Sequence, residues 1–120
     1  GLDASLLDGL DSRPDDEVAA CLDALAFRVA RAFDDGELDY SPGDAVMNQA
    51  WTYCVVSDLI ARRPQPPFMY AVFEAFDLGE FYHPGDSSSV DPVEKYTRPL
   101  IREALDGVSA KDRVNDHPIL

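Results

Sequence analysis

Five carboxylates, Asp34, Asp35, Glu37, Asp39 and Asp44, accompany Gly36 and Gly43 in a short stretch of the chain, a density of oxygen donors that suggests calcium. An EF-hand loop with Gly36 at its sixth position puts Leu38 correctly at the eighth, but Arg31, Phe33 and Pro42 then stand at the first, third and twelfth, where oxygen ligands are required. The ligand pattern fails, and no metal is expected there. Glu80, His83 and Asp86 offer zinc- or iron-type ligands. Pro84 and Gly85 between them suggest a turn without fixed spacing, so a plain loop histidine is the simpler expectation. His117 falls in a tail.

Nucleophilic chemistry requires a serine or cysteine beside a base. Ser87, Ser88 and Ser89 lie in a loop without the strand-to-helix elbow of a hydrolase. Cys21 and Cys54, the two cysteines, sit in apolar helical runs, where thiols are expected to be buried and inert. No glycine-rich phosphate loop occurs. The chain is therefore read as a non-enzyme, with no catalytic, cofactor-binding or metal-binding residue assigned. Two polar features remain. Asp44, Asn48 and Thr52 make a stripe that either lines a cleft or bonds across to a neighbouring helix. Asp58, projected between Met47 and Trp51, is either an ion-pair partner of Arg62 or a buried carboxylate marking a pocket.

These residues must be held by helices, because the apolar periodicity is helical throughout and no alternating run long enough for a sheet appears. Pro14 and the acidic run Asp15, Asp16 and Glu17 open a first helix. Val18, Leu22, Leu25, Val29 and Phe33 give its apolar face, and Gly36 its stop. Ser41, Pro42 and Asp44 repeat the start signal for a second helix, expected over 42–62 with Asp44 in an acidic capping box. Its apolar residues surround almost the whole circumference, which predicts the central helix of the core. Arg62, Arg63 and a proline-rich connector end it.

A third helix is expected over 67–78, with Phe68, Met69, Val72, Phe73 and Phe76 on one face and Gly79 at its end. The Pro-, Gly- and Ser-rich stretch 82–91 is a loop. Asp91, Pro92 and Glu94 then cap a fourth helix over 92–106, kinked or broken at Pro99 and closed by Gly107. The expectation is an all-α, single-domain bundle of four main helices (about 14–34, 42–62, 67–78 and 92–106). A short extra helix is expected near 5–10, with 1–12 and 108–120 as peripheral arms and the end of the chain mostly irregular.

Composition narrows the function. A chain of 120 residues fits one domain, and a hydrophobic share of 46% supplies a core. Two cysteines make no disulfide framework, so a reducing cytoplasm is expected. No basic, apolar leader opens the sequence, and the most apolar stretch, 45–61, is too polar to span a bilayer. The net charge is −13. It is lopsided: residues 1–48 hold twelve acidic and three basic side chains, residues 49–120 eleven and seven. Nucleic acid and anionic membranes are thereby disfavoured as partners, and a basic protein is favoured.

The expected docking residues are Asp34, Asp35, Glu37, Asp39, Tyr40 and Asp44. Small acidic inhibitors such as bacterial immunity proteins and antitoxins share this size and charge balance, although no motif here matches such a family. The alternative expectation is a homo-oligomeric structural or regulatory subunit, such as a homodimer, that self-associates through Tyr70, Phe81 and Tyr82. A third is a small-molecule-binding or enzymatic domain with a pocket near Asp58 and Trp51.

Overall fold

The computed structural model describes residues 7, 9–59 and 65–115, with side chains at all of these except 11 and 109–115. Four α-helices, α1 (Asp15–Asp34), α2 (Tyr40–Val56), α3 (Pro67–Leu78) and α4 (Arg98–Asn115), form the molecule. A 3-10 turn at Leu10–Ser12 precedes α1, and a π-helical turn at Val93–Thr97 leads into α4. No strand occurs among the described residues, and the all-α bundle expected from periodicity is what forms. The 3-10 turn is no loose arm, because Leu10 is buried in the core and Leu7 packs against it.

α1 follows its sequence signals closely. Asp15, Asp16 and Glu17 occupy the first turn, where negative charge meets unpaired amides. Val18, Leu22, Leu25, Val29 and Phe33 are buried on one face. At the far end Gly36 takes φ 79°, while the Gly36 and Glu37 amides bond back to the Phe33 and Ala32 carbonyls at 3.1 and 2.9 Å. That is a Schellman closure, and glycine makes its left-handed residue strain-free. Leu38 follows at once and packs on the core, so the turn is pinned on both sides.

α2 departs from expectation at both ends. It begins at Tyr40, two residues before the expected Pro42, which falls inside the first turn, where a missing N–H costs nothing. Ser41 makes no capping bond, and Asp44 turns inward instead of closing a capping box. At the other end α2 stops at Val56 instead of running to 62. Asp58 takes φ 64°, a left-handed conformation that aspartate tolerates better than most residues. The reversal carries Leu59 into the core, fully buried.

Two helices touch all the others: α1 packs on α2, α3 and α4, and α3 packs on α1, α2, α4 and the π turn. Its aromatic residues supply the contacts. Phe68 meets Phe27 and Phe76 meets Phe33 from α1, while Phe73 stacks on Trp51 at 4.8 Å and Phe76 on Tyr40 at 5.5 Å from α2. α2 is apolar around its circumference, yet it buries mainly Gly43, Val46, Met47, Ala50 and Cys54 and leaves Val56 80% exposed. The central position expected for α2 is thus shared by α1 and α3. Circumferential apolarity in α2 reflects a covered face plus exposed valines.

The last turn of α3 is tied down by side chains from elsewhere. Gly79 N–H bonds to the Phe76 carbonyl, not to Ala75, leaving Ala75 O without a helical partner. The buried Thr97 hydroxyl fills that role at 2.7 Å. The Tyr40 hydroxyl donates to Phe76 O at 2.5 Å, and His83 Nε2 bonds Leu78 O at 2.7 Å. The bonds to Ala75 O and Leu78 O satisfy carbonyls at the helix end, while Tyr40 adds a second donor to Phe76 O, which already accepts Gly79 N–H. Thr97 and Tyr40 approach so closely that a Cβ at residue 79 would collide with the Thr97 hydroxyl, which is why this position is glycine.

Asp91 does cap the following segment, its Oδ1 accepting Val93 N–H at 2.9 Å. The break expected at Pro99 appears as the π turn, with Pro99 in the first turn of α4, where its absent donor is harmless. α4 then runs to Asn115, nine residues beyond the expected end. Gly107 is passed in ordinary helical geometry and stops nothing, so residues 108–115 are helical and not irregular; 116–120, like Arg62 and His117, lie outside the described residues.

Candidate functional site

The six residues expected to form an acidic docking face divide into two groups. Asp35, Glu37 and Asp39 are exposed on the α1–α2 turn, with Arg31 a distant 3.9 Å from Asp35. Asp34, Tyr40 and Asp44 are drawn inward. Asp34 is only 17% exposed and is bound at 2.6 Å by Arg102 of α4, a link between helices sixty-eight residues apart in sequence. The turn therefore presents three outward carboxylates on a backbone fixed by its Schellman bonds and by Leu38.

Asp44 belongs to a different structure, at the junction of α2 with the end of α3. Asn48 Nδ2 bridges Asp44 Oδ2 at 3.3 Å and Glu80 Oε2 at 3.0 Å, so the polar stripe on α2 bonds across to its neighbour. Thr52 Oγ1 bonds back to Asn48 O at 2.9 Å. Asp44 Oδ1 is buried and meets no donor. Two carboxyl groups face to face share a hydrogen bond only if one keeps a proton. Asp44 keeps it: burial, then the Glu80 carboxyl, then the charge of Asp77, push its pKa up to about 7. Burial and the same three carboxylates hold the Tyr40 hydroxyl above the usual phenol range, so it remains a donor to Phe76 O.

A third feature has no counterpart among the sequence expectations. Between α3 and α4 lies a groove of about 550 Å³, within the roughly 300–1,000 Å³ range of ligand-holding clefts. Phe68, Ala71 and Ala75 form one wall, and Leu100, Ala104 and Val108 the other. Glu74 and Glu103 stand exposed on opposite walls, and Asp23 of α1 lies at the end. Asp23 also accepts Met69 N–H at 2.9 Å, capping α3 from another helix. No basic residue lines the groove among the described residues. Small side chains at 71, 75, 104 and 107, spaced on one face of each helix, are the signal that could have located it.

The two bases of α4 whose side chains are described, Arg98 and Arg102, face away from the groove. Arg98 pairs with Glu94 at 3.0 Å and lies over the Phe33 ring, while Arg102 reaches Asp34 and Asp106. Both thus point toward α1, and Glu103 has no basic neighbour on the groove wall among the described residues.

The remaining expected sites do not assemble. Asp58 is exposed on a turn past the end of α2, so its projected place beside Met47 and Trp51 does not exist. Trp51 packs instead on Tyr70 and Phe73. Glu80, His83 and Asp86 each take separate partners: Glu80 binds Asn48, His83 sits between Phe81 and Tyr96, and Asp86 accepts from Lys95 and Tyr96. No group of three or more metal-ligating side chains gathers among the described residues. Cys54 is buried, and burial pushes its thiol up to about 11, but Cys21 is exposed, contrary to expectation, on the outer face of α1. Of the three aromatics expected to mediate self-association, Phe81 and Tyr82 are exposed. Tyr70 is half-buried and bonds Gln65.

Among the described residues no helix is long and apolar enough to cross a membrane. No protein-family model matches the sequence, and no curated protein or solved structure is significantly similar to it, so its function must be argued from its own surfaces.

Proposed function

We propose that this chain is a small acidic protein-binding module, of the inhibitor, immunity-protein or antitoxin type, that engages a basic protein through the α1–α2 turn. The observation that carries this reading is the exposure of Asp35, Glu37 and Asp39 on a turn whose backbone is already fixed. A preorganised acidic turn loses little entropy on docking, and its field steers a basic partner from a distance set by salt. Arg31, Arg98 and Arg102 are each paired with a carboxylate.

The test uses the full chain as bait, identifies a co-purifying protein by mass spectrometry and titrates it across salt concentrations. Asp35→Asn, Glu37→Gln and Asp39→Asn combined should weaken that affinity by about tenfold and flatten its salt dependence, with far-UV circular dichroism unchanged. Equal affinity and slope in the variant would remove the reading.

A second reading, self-association, draws support from Phe81 and Tyr82, which are 47% and 68% exposed. A monomer by light scattering across the accessible concentration range argues against it.

A further inference from the structure

We propose that the groove between α3 and α4 is a docking site for an amphipathic basic helix of a partner protein, its apolar stripe on the groove floor and its cations against Glu74 and Glu103. This rests on the reading of the chain as a binder of basic protein, but assigns the specific contact to a surface distinct from the α1–α2 turn.

The floor has the right chemistry. Phe68, Leu100, Ala104 and Val108 are half-buried, neither sealed in the core nor fully wet, and contribute apolar area that gains free energy when water leaves it. Leu100, Ala104 and Val108 follow one another at successive turns of α4, a run of about 12 Å at 1.5 Å per residue. Residues 67–75 of α3 run the same length opposite. A groove two turns long between two helical walls fits a third helix that anchors through positions i, i+3 or i+4, and i+7. Small side chains allow a close approach. A Cβ at Gly107 would meet no atom within 4 Å, so the lip of the groove at this point is open.

Charge selects among occupants. Glu74 and Glu103 flank the floor from opposite walls, and no basic side chain lines it among the described residues. An apolar helix bordered by acids would meet like charge on both sides, whereas one bordered by lysine or arginine meets its complement. A second copy of this chain, at −13, is disfavoured on the same ground.

The experiment uses the full chain and a synthetic leucine–lysine peptide of about 18 residues, about five helical turns, with all leucines on one face. A peptide of the same composition with leucines scattered around the helix is the control. Binding is followed by fluorescence of a dye on the peptide. The patterned peptide should bind saturably and at least about tenfold tighter than the control. Ala71→Trp, which fills the groove without altering charge, should weaken binding by about tenfold or more, and Glu74→Lys with Glu103→Lys by at least as much.

The proposal is overturned if both peptides bind alike, if Ala71→Trp leaves the affinity unchanged, or if no binding occurs. It is overturned as well if Ala71→Trp instead abolishes concentration-dependent self-association, since the occupant is then a second copy. Loss of binding only in the Asp35, Glu37 and Asp39 variant would sink the groove while sparing the turn. A groove that binds the peptide, in a chain whose natural partner ignores those three substitutions, would do the reverse.

Discussion

Asp44 has its pKa pushed up to about 7 because the chain has placed it, half-buried, against Glu80 with Asp77 close by. An unfolded aspartate ionises near pH 4. Between there and about pH 7 the folded molecule binds a proton that the unfolded chain releases. The contribution of this site to stability is therefore full at the acidic end, declines as pH rises toward 7, and is lost above it. Self-repulsion among the other carboxylates acts in the same direction, so a difference between proteins isolates the site. From about pH 5 to about pH 8 the denaturation midpoint of the natural chain should fall more steeply than that of Asp44→Asn, and the variant should be the more stable at the higher pH. Parallel pH profiles would show that the pair shares no proton. Sequence alone offered Asp58, by projecting α2 beyond its actual end, either as an ion-pair partner of Arg62 or as a buried carboxylate. The residue that fits the description was in view at Asp44, but its partner lies thirty-six positions away at Glu80 and no periodicity reports such a meeting.

Helices announced themselves where proline, glycine and a one-sided apolar face agree. α1 and α3 satisfy all three, and their bounds were legible to within a residue. The misjudged ends are those where such punctuation misleads. α2 stops at Val56 through the left-handed Asp58, several residues before any proline, and α4 passes Gly107 because glycine weakens a helix without forcing it to end. Identifying the central helix required tertiary information, since apolar composition does not say which faces are covered. α3 shares that place with α1, and polar ties fix its end. Thr97→Val removes the donor to Ala75 O at constant shape and should cost about 1–3 kcal/mol by chemical denaturation, as expected for a buried carbonyl left unpaired. Thr97→Ser keeps the hydroxyl and should recover most of the hydrogen-bond contribution; equal losses in the two variants would show that the methyl group matters and the bond does not.

At the scale of the molecule, charge and burial are arranged with a consistent sense. Among the described residues, Arg13, Arg31, Lys95, Arg98 and Arg102 pair with carboxylates of the same chain, and exposed acids stand on the α1–α2 turn and along the α3–α4 groove. The net charge was legible from composition. Its division into one turn and one groove was not, because that depends on which arginines fold back toward α1. The two thiols add a different consequence. Cys21 stands open to reagent, while Cys54 is sealed and its thiolate suppressed. The chain thus carries its own two-channel recorder of opening: with iodoacetamide, Cys21 should alkylate at the rate of a free thiol, and Cys54 only as often as the bundle comes apart. Denaturant should accelerate the second reaction and leave the first almost untouched, whereas matched rates at both sulfurs in native buffer would mean that the interior around Cys54 breathes far more readily than its packing allows.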